Sequence, residues 1–85
     1  MAAERKYTIE SVLKALLVVE ALEGTAFEPV PMKRIMARTK FNRNLTMRLL
    51  KTLEEAGWAS QNDRGEWTIG RRFIRFAAKA AENEL

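Results

Sequence analysis

Residues 31–57, PMKRIMARTKFNRNLTMRLLKTLEEAG, read as two helices joined by a tight turn, and this reading decides the fold. Pro31 suits a first helical position, because its missing N–H would have no partner there in any case. A short helix over Met32 to Arg38 then buries Met32, Ile35 and Met36 and turns Lys33, Arg34 and Arg38 outward. Thr39-Lys40-Phe41 forms the turn. Asn42 is a good N-cap, since its side-chain oxygen can accept an orphan N–H of the first turn. A longer helix therefore starts there, reaches about Ala56 and is closed by Gly57.

At 100° per residue this longer helix separates into two faces. Leu45, Thr46, Leu49, Leu53 and Ala56 cluster on a packing face, with Leu50 at its edge. Asn44, Met47, Arg48, Lys51 and Glu55 cluster opposite, with Arg43 at the boundary. From Pro29 to Leu53 there are seven basic residues (Lys33, Arg34, Arg38, Lys40, Arg43, Arg48 and Lys51) and no acidic one. A segment that folds on one side and is purely cationic on the other is suited to a polyanion. The major groove of B-DNA admits a helix, and arginine, asparagine and methionine can there meet guanine, adenine and the thymine methyl.

Upstream, Thr8 is a candidate cap for a first helix that runs to about Glu23 and stops at Gly24. Val12, Leu13, Leu16, Val19 and Leu22 form its apolar stripe. Leu17, Val18 and Ala21 widen that stripe beyond what one small core needs. Residues 1–7 read as a flexible arm, and Thr25 to Val30 as a loop or a short strand before Pro31. Downstream the period changes from helical to alternating. Trp58–Gln61 and Glu66–Ile69 flank Asn62-Asp63-Arg64-Gly65 and predict a β-hairpin with a four-residue tip. Gly70 ends it, and a last helix runs from Arg71 to about Glu84. The order gives one mainly α (α+β) domain over residues 1–85. It is a winged helix-turn-helix: a three-helix core, a two-stranded wing and an additional C-terminal helix.

Composition narrows the function. The chain has 85 residues, no cysteine and no histidine, which excludes a zinc finger and removes the commonest general base. Glu54 and Glu55 are adjacent on a helix surface with no histidine, lysine cleft or metal pattern nearby, so no catalytic set, metal site or cofactor site can be assembled. The longest apolar run, Ala15 to Val19, is far short of the roughly 20 residues that span a bilayer. A net charge of +4 and a pI near 9.9 point to an anionic partner, and the chain reads as cytoplasmic.

The segment MARTKFNRNLTMRLLKTLEEAGWASQNDRGEWTIGRRFIRFA, residues 36–77, resembles the DNA-binding domain of IclR-type transcriptional regulators. Its most specific part is Arg48-Leu49-Leu50-Lys51-Thr52-Leu53, and SVLKALLVVEALEG, residues 11–24, resembles the family's first helix. The resemblance implies that Arg43, Asn44, Met47 and Arg48 read bases. It places Arg64 at the wing tip and lets Arg71 and Arg72 touch the DNA backbone. Lys33, Arg34, Arg38, Lys40 and Lys51 are the expected phosphate contacts around them.

Three departures accompany the likeness. Lys40 replaces the usual turn glycine, which costs about 1 kcal/mol or more if φ is positive there. Asn44-Leu45 replaces a Ser-Thr pair. The family's large effector-binding domain has no counterpart within these residues, which implies no small-molecule effector and suggests a phage- or mobile-element-type regulator.

Other features read as structure. Trp58 and Trp67 are expected to pack across the hairpin onto the third helix, with Asp63 and Arg64 shaping the tip. The last helix carries two apolar stripes, Phe73-Phe76-Ala77-Ala80 and Ile74-Ala78-Ala81-Leu85. One should cover the core and the other, with the first helix, should form a homodimer. The expected function is a sequence-specific double-stranded DNA-binding protein, a small transcriptional regulator. A protein-interaction module is the alternative.

Overall fold

The computed structural model describes residues 6–23 and 28–84, with the Glu84 side chain set aside. The elements are α1 (Glu10–Ala21), α2 (Met32–Thr39), α3 (Arg43–Glu55), β1 (Ala59–Gln61), β2 (Trp67–Ile69) and α4 (Arg71–Glu84). Of the arm expected over residues 1–7, Lys6 and Tyr7 lie in an exposed 3-10 turn and the rest falls outside the described residues. Gly24 and most of the expected loop before Val30 also fall outside them.

The turn between α2 and α3 is fixed by side chains close in sequence. Thr39 Oγ1 donates to the Ile35 carbonyl (2.9 Å) and accepts from the Phe41 N–H (3.2 Å). Lys40 adopts the left-handed conformation, φ 67° and ψ 16°, and its N–H closes α2 on the Met36 carbonyl at 2.8 Å. Asn42 caps α3 as expected, its Oδ1 accepting from the Leu45 N–H at 2.8 Å. Lys40 thus carries a Cβ where the backbone favours glycine. Lys40→Gly should raise stability by about 0.5–1 kcal/mol, the relieved strain outweighing the extra freedom of the unfolded chain. Denaturant midpoints check this, and a loss of stability would show that the lysine side chain supports the turn.

Two helix starts differ from the sequence reading. Ile9, not Thr8, occupies the N-cap of α1 and makes no side-chain cap bond; α1 ends at Ala21, with Leu22 as its C-cap. Pro31 is the N-cap of α2 rather than its first residue (φ −72°, ψ 151°). Its carbonyl accepts from the Arg34 and Ile35 N–H groups, a duty that proline can fill as well as any residue.

The core is small and well defined. Val18 and Ala21 from α1, its C-cap Leu22, Ile35 from α2 and Leu50 from α3 meet Val30, Ala59 and Trp67. Thr46 is fully buried among them, its Oγ1 donating to the Asn42 carbonyl at 2.7 Å. Only the last turn of α1 reaches this core. Val12, Leu13, Leu16 and Leu17, the first half of the expected stripe, stay exposed.

The wing is antiparallel, pairing Ala59 with Ile69, Ser60 with Thr68 and Gln61 with Trp67. Val30 adds a bridge on the far edge, exchanging both backbone hydrogen bonds with Trp67 at 2.7 and 2.8 Å. Of the loop or short strand expected over Thr25 to Val30, the described residues form a single bridge at Val30 and no strand. Gly70 lets β2 pass into α4, since a Cβ there would fall onto the Gly57 carbonyl. Contrary to the expectation that one stripe of α4 would cover the core, α4 stands off it. Only Phe73 is half-buried, and the ring contacts are to Trp58, from Phe73 (5.1 Å, edge-on) and Phe76 (5.7 Å, tilted).

Candidate nucleic-acid interface

The cap and the core together orient α3. With Thr46 and Leu50 fully buried and Leu49 and Leu53 half-buried, the opposite side of the helix must face solvent. Asn44 and Arg48 are exposed there, and Arg43 is exposed at the boundary of the two faces. None of the three side chains makes a hydrogen bond or ion pair among the described residues. Met47 is half-buried and packs against the core, so only part of its side chain shares that surface. Lys33 and Arg34 on α2, and Lys40 in the turn, are exposed and likewise unpaired among the described residues.

Two cations of the acid-free run have intramolecular partners. Arg38 Nη1 donates to the Ala21 carbonyl at 2.6 Å and the Glu23 carbonyl at 2.7 Å, closing the C-terminal end of α1. A guanidinium there satisfies orphan carbonyls and meets the negative end of the helix dipole. No pattern within α2 signals this, because the acceptors lie 15 and 17 residues away. Lys51 Nζ sits 3.5 Å from Glu54 Oε1 and 5.8 Å from the centre of the Trp67 ring, under the wing.

The wing tip is organised by Asn62, not by Asp63. Asn62 Oδ1 accepts from the Arg64 and Glu66 N–H groups, both at 2.9 Å, and its Nδ2 donates to Glu66 Oε1 at 3.0 Å. Gly65, at φ 81°, completes the turn. Arg64 is left exposed at the tip with its guanidinium unpaired among the described residues. Arg71 and Arg72 open α4 and are exposed; the Arg72 N–H donates to the Gly57 carbonyl at 3.1 Å, so α4 starts at the C-terminal end of α3.

A second feature lies beside this surface. α1 and α3 enclose a shallow apolar groove of about 780 Å³, lined by Val12, Leu16 and Val19 on one wall and by Leu45, Leu49 and Leu53 on the other. Trp58 closes one end, and Arg48 stands on the rim. Among the described residues no cluster of potential metal ligands occurs, and no helix is long and apolar enough to cross a membrane.

A capped, exposed cationic helix beside a short wing defines a winged helix-turn-helix DNA-binding domain. Residues 11–63 match the model of the IclR helix-turn-helix domain, and the chain belongs to that family. It is a family of DNA-binding domains of transcriptional regulators, not of enzymes. Among solved structures, the chain is similar to an IclR transcriptional regulator from Alicyclobacillus acidocaldarius, with 26% identity and a TM-score of 0.77. That match covers 88% of this chain and 30% of the other. It shares its fold with HmgR of Pseudomonas aeruginosa (19% identity, TM-score 0.79, covering 87% and 30%). It also shares it with an IclR family regulator from Brucella abortus (19%, 0.75, covering 91% and 30%). The chain thus spans about 30% of the length of these regulators. Comparison with curated proteins returned no match.

Proposed function

We propose that this chain is the DNA-reading part of a transcriptional regulator, binding duplex DNA sequence-specifically with the N-terminal half of α3 in the major groove. The observation that carries the reading is the exposed, unpaired set Arg43, Asn44 and Arg48 on a helix whose other side is locked into the core. These three read base edges, and the exposed part of Met47 adds an apolar contact. Lys33, Arg34, Lys40, Arg64, Arg71 and Arg72 supply phosphate contacts, which fix position and affinity rather than sequence. Lys51 joins them by leaving Glu54, because an exposed pair of this kind is worth at most about 1 kcal/mol. Arg38 stays on α1, where two charge-assisted bonds hold it, and adds only its field.

The exposed leucines and valine of α1, with Ile74 and Phe76 on α4, support a homodimer through the first and last helices. Two-fold symmetry then calls for half-sites separated by about one DNA turn, or a multiple of it. The mechanism is occupancy of a site on cytoplasmic DNA.

Binding to duplex DNA across a salt series tests the reading. With about six phosphate contacts, affinity should fall roughly 10³-fold between 50 and 200 mM salt. A flat response, or no binding at low salt, would refute it. Selection from random duplexes should return a near-palindrome; a single unrepeated half-site would argue against the dimer.

A further inference from the structure

The first turn of α4 runs against helix electrostatics. Arg71 and Arg72 stand where the helix dipole disfavours cations, and no acidic residue in that turn offsets them. At 100° per residue α4 divides into three faces. Phe73 and Phe76 meet Trp58, and Ile74, Ala78 and Ala81 form an exposed apolar strip. Arg71, Arg75 and Lys79 make a row on the side away from the rings, with Arg72 at its edge and Glu82 one turn beyond.

Like charges at i and i+4 destabilise a helix by a few tenths of a kcal/mol per pair, so helix stability alone does not account for a row that stays cationic over two turns before Glu82 closes it. Here all four cations are exposed, and none has a side-chain partner among the described residues. Arg71, Arg72 and Arg75 also border a shallow cleft with Ser60 and Thr68 on the outer wing face, where Glu54 is the sole carboxylate. One carboxylate does not balance three guanidinium groups.

The row extends over about 12 Å and begins at the C-terminal end of α3, one helix length of about 18 Å from Arg43 and Asn44. A duplex carries a phosphate every 3.4 Å or so of its axis on each strand. We propose that Arg71, Arg75 and Lys79 form a second DNA surface. It holds phosphates of the duplex flanking the site read by α3 and adds affinity without base preference. This rests on the DNA-binding reading and extends it to Arg75 and Lys79, which lie outside the wing and the helix-turn-helix.

The test uses the whole chain, an Arg75→Gln/Lys79→Gln variant and a charge-preserving Arg75→Lys/Lys79→Arg variant. Salt dependence of binding is measured on random-sequence duplexes of about 12 and 30 base pairs, chosen because a helical turn is about 10. On the long duplex the glutamine variant should lose about 1.8 from the slope of log K against log salt, and the charge-preserving variant should match the parent. On the short duplex all three should share one slope. Equal slopes for parent and glutamine variant on the long duplex would overturn the proposal while leaving α3's role intact. Absence of salt-dependent binding by the parent would overturn both. Binding to phosphatidylserine vesicles that the glutamine variant loses, with its DNA slope unchanged, would reassign the row to lipid and also overturn the proposal.

Discussion

Trp67→Ala should cost about 3–5 kcal/mol, the range for removing a fully buried aromatic side chain. For a chain of 85 residues such a loss lowers the melting temperature by about 12–40 °C, from about 4–8 °C per kcal/mol. The effect is large because Trp67 ties three parts of the fold. Its ring has no exposed surface and fills the core, and Lys51 of α3 lies over it. Its backbone joins β2 to Val30, just ahead of α2. Trp58→Ala offers the contrast. Trp58 is half-buried and packs mainly against Phe73 and Phe76, so its loss should release α4 while the three-helix core still melts cooperatively. Calorimetry on both variants checks the pair, and a loss below about 1 kcal/mol for Trp67→Ala would mean that the wing contributes little to the core.

Arg48→Ala should weaken binding to the selected site by about 1–3 kcal/mol, a factor of roughly 5 to 150, while changing binding to random duplex much less. Arg64→Ala should reduce both alike, since a phosphate contact carries no sequence information. Arg48 can be tested without disturbing the fold: its side chain is exposed and unpaired among the described residues, and its backbone carbonyl keeps the Thr52 hydroxyl bond at 2.8 Å in the variant. Competition binding between specific and random DNA separates the two outcomes. Equal losses on both DNAs for Arg48→Ala would remove it from base reading.

What could be read from the sequence was what depends on neighbours along the chain. The Asn42 cap, the break at Gly57 and the alternating wing strands are written within a few residues of where they act; the cap and the break are found where the pattern put them, and each strand starts one residue later. Lys40 in a left-handed turn was legible as a conditional, because only the backbone could say whether φ is positive. Features that depend on distant partners were not legible. Arg38 looks like any outward cation until α1 ends against it. Asn62 and Asp63 are equally good turn residues in isolation, and only the hairpin register selects Asn62. The amphipathic pattern of α4 suggested a core-covering helix, yet the core is already filled by Trp67, Val30 and α1, and the rings of α4 meet Trp58 instead.

The two tryptophans also equip the molecule with separate optical reporters. Trp67, sealed in the core, is shielded from aqueous quenchers until the domain unfolds. Trp58 sits at the junction of α4 with the α1–α3 groove, within reach of solvent and of anything that enters that groove. Fluorescence from Trp58 therefore follows the seating of α4 and the occupancy of the groove, while that from Trp67 follows folding, and neither signal requires a label.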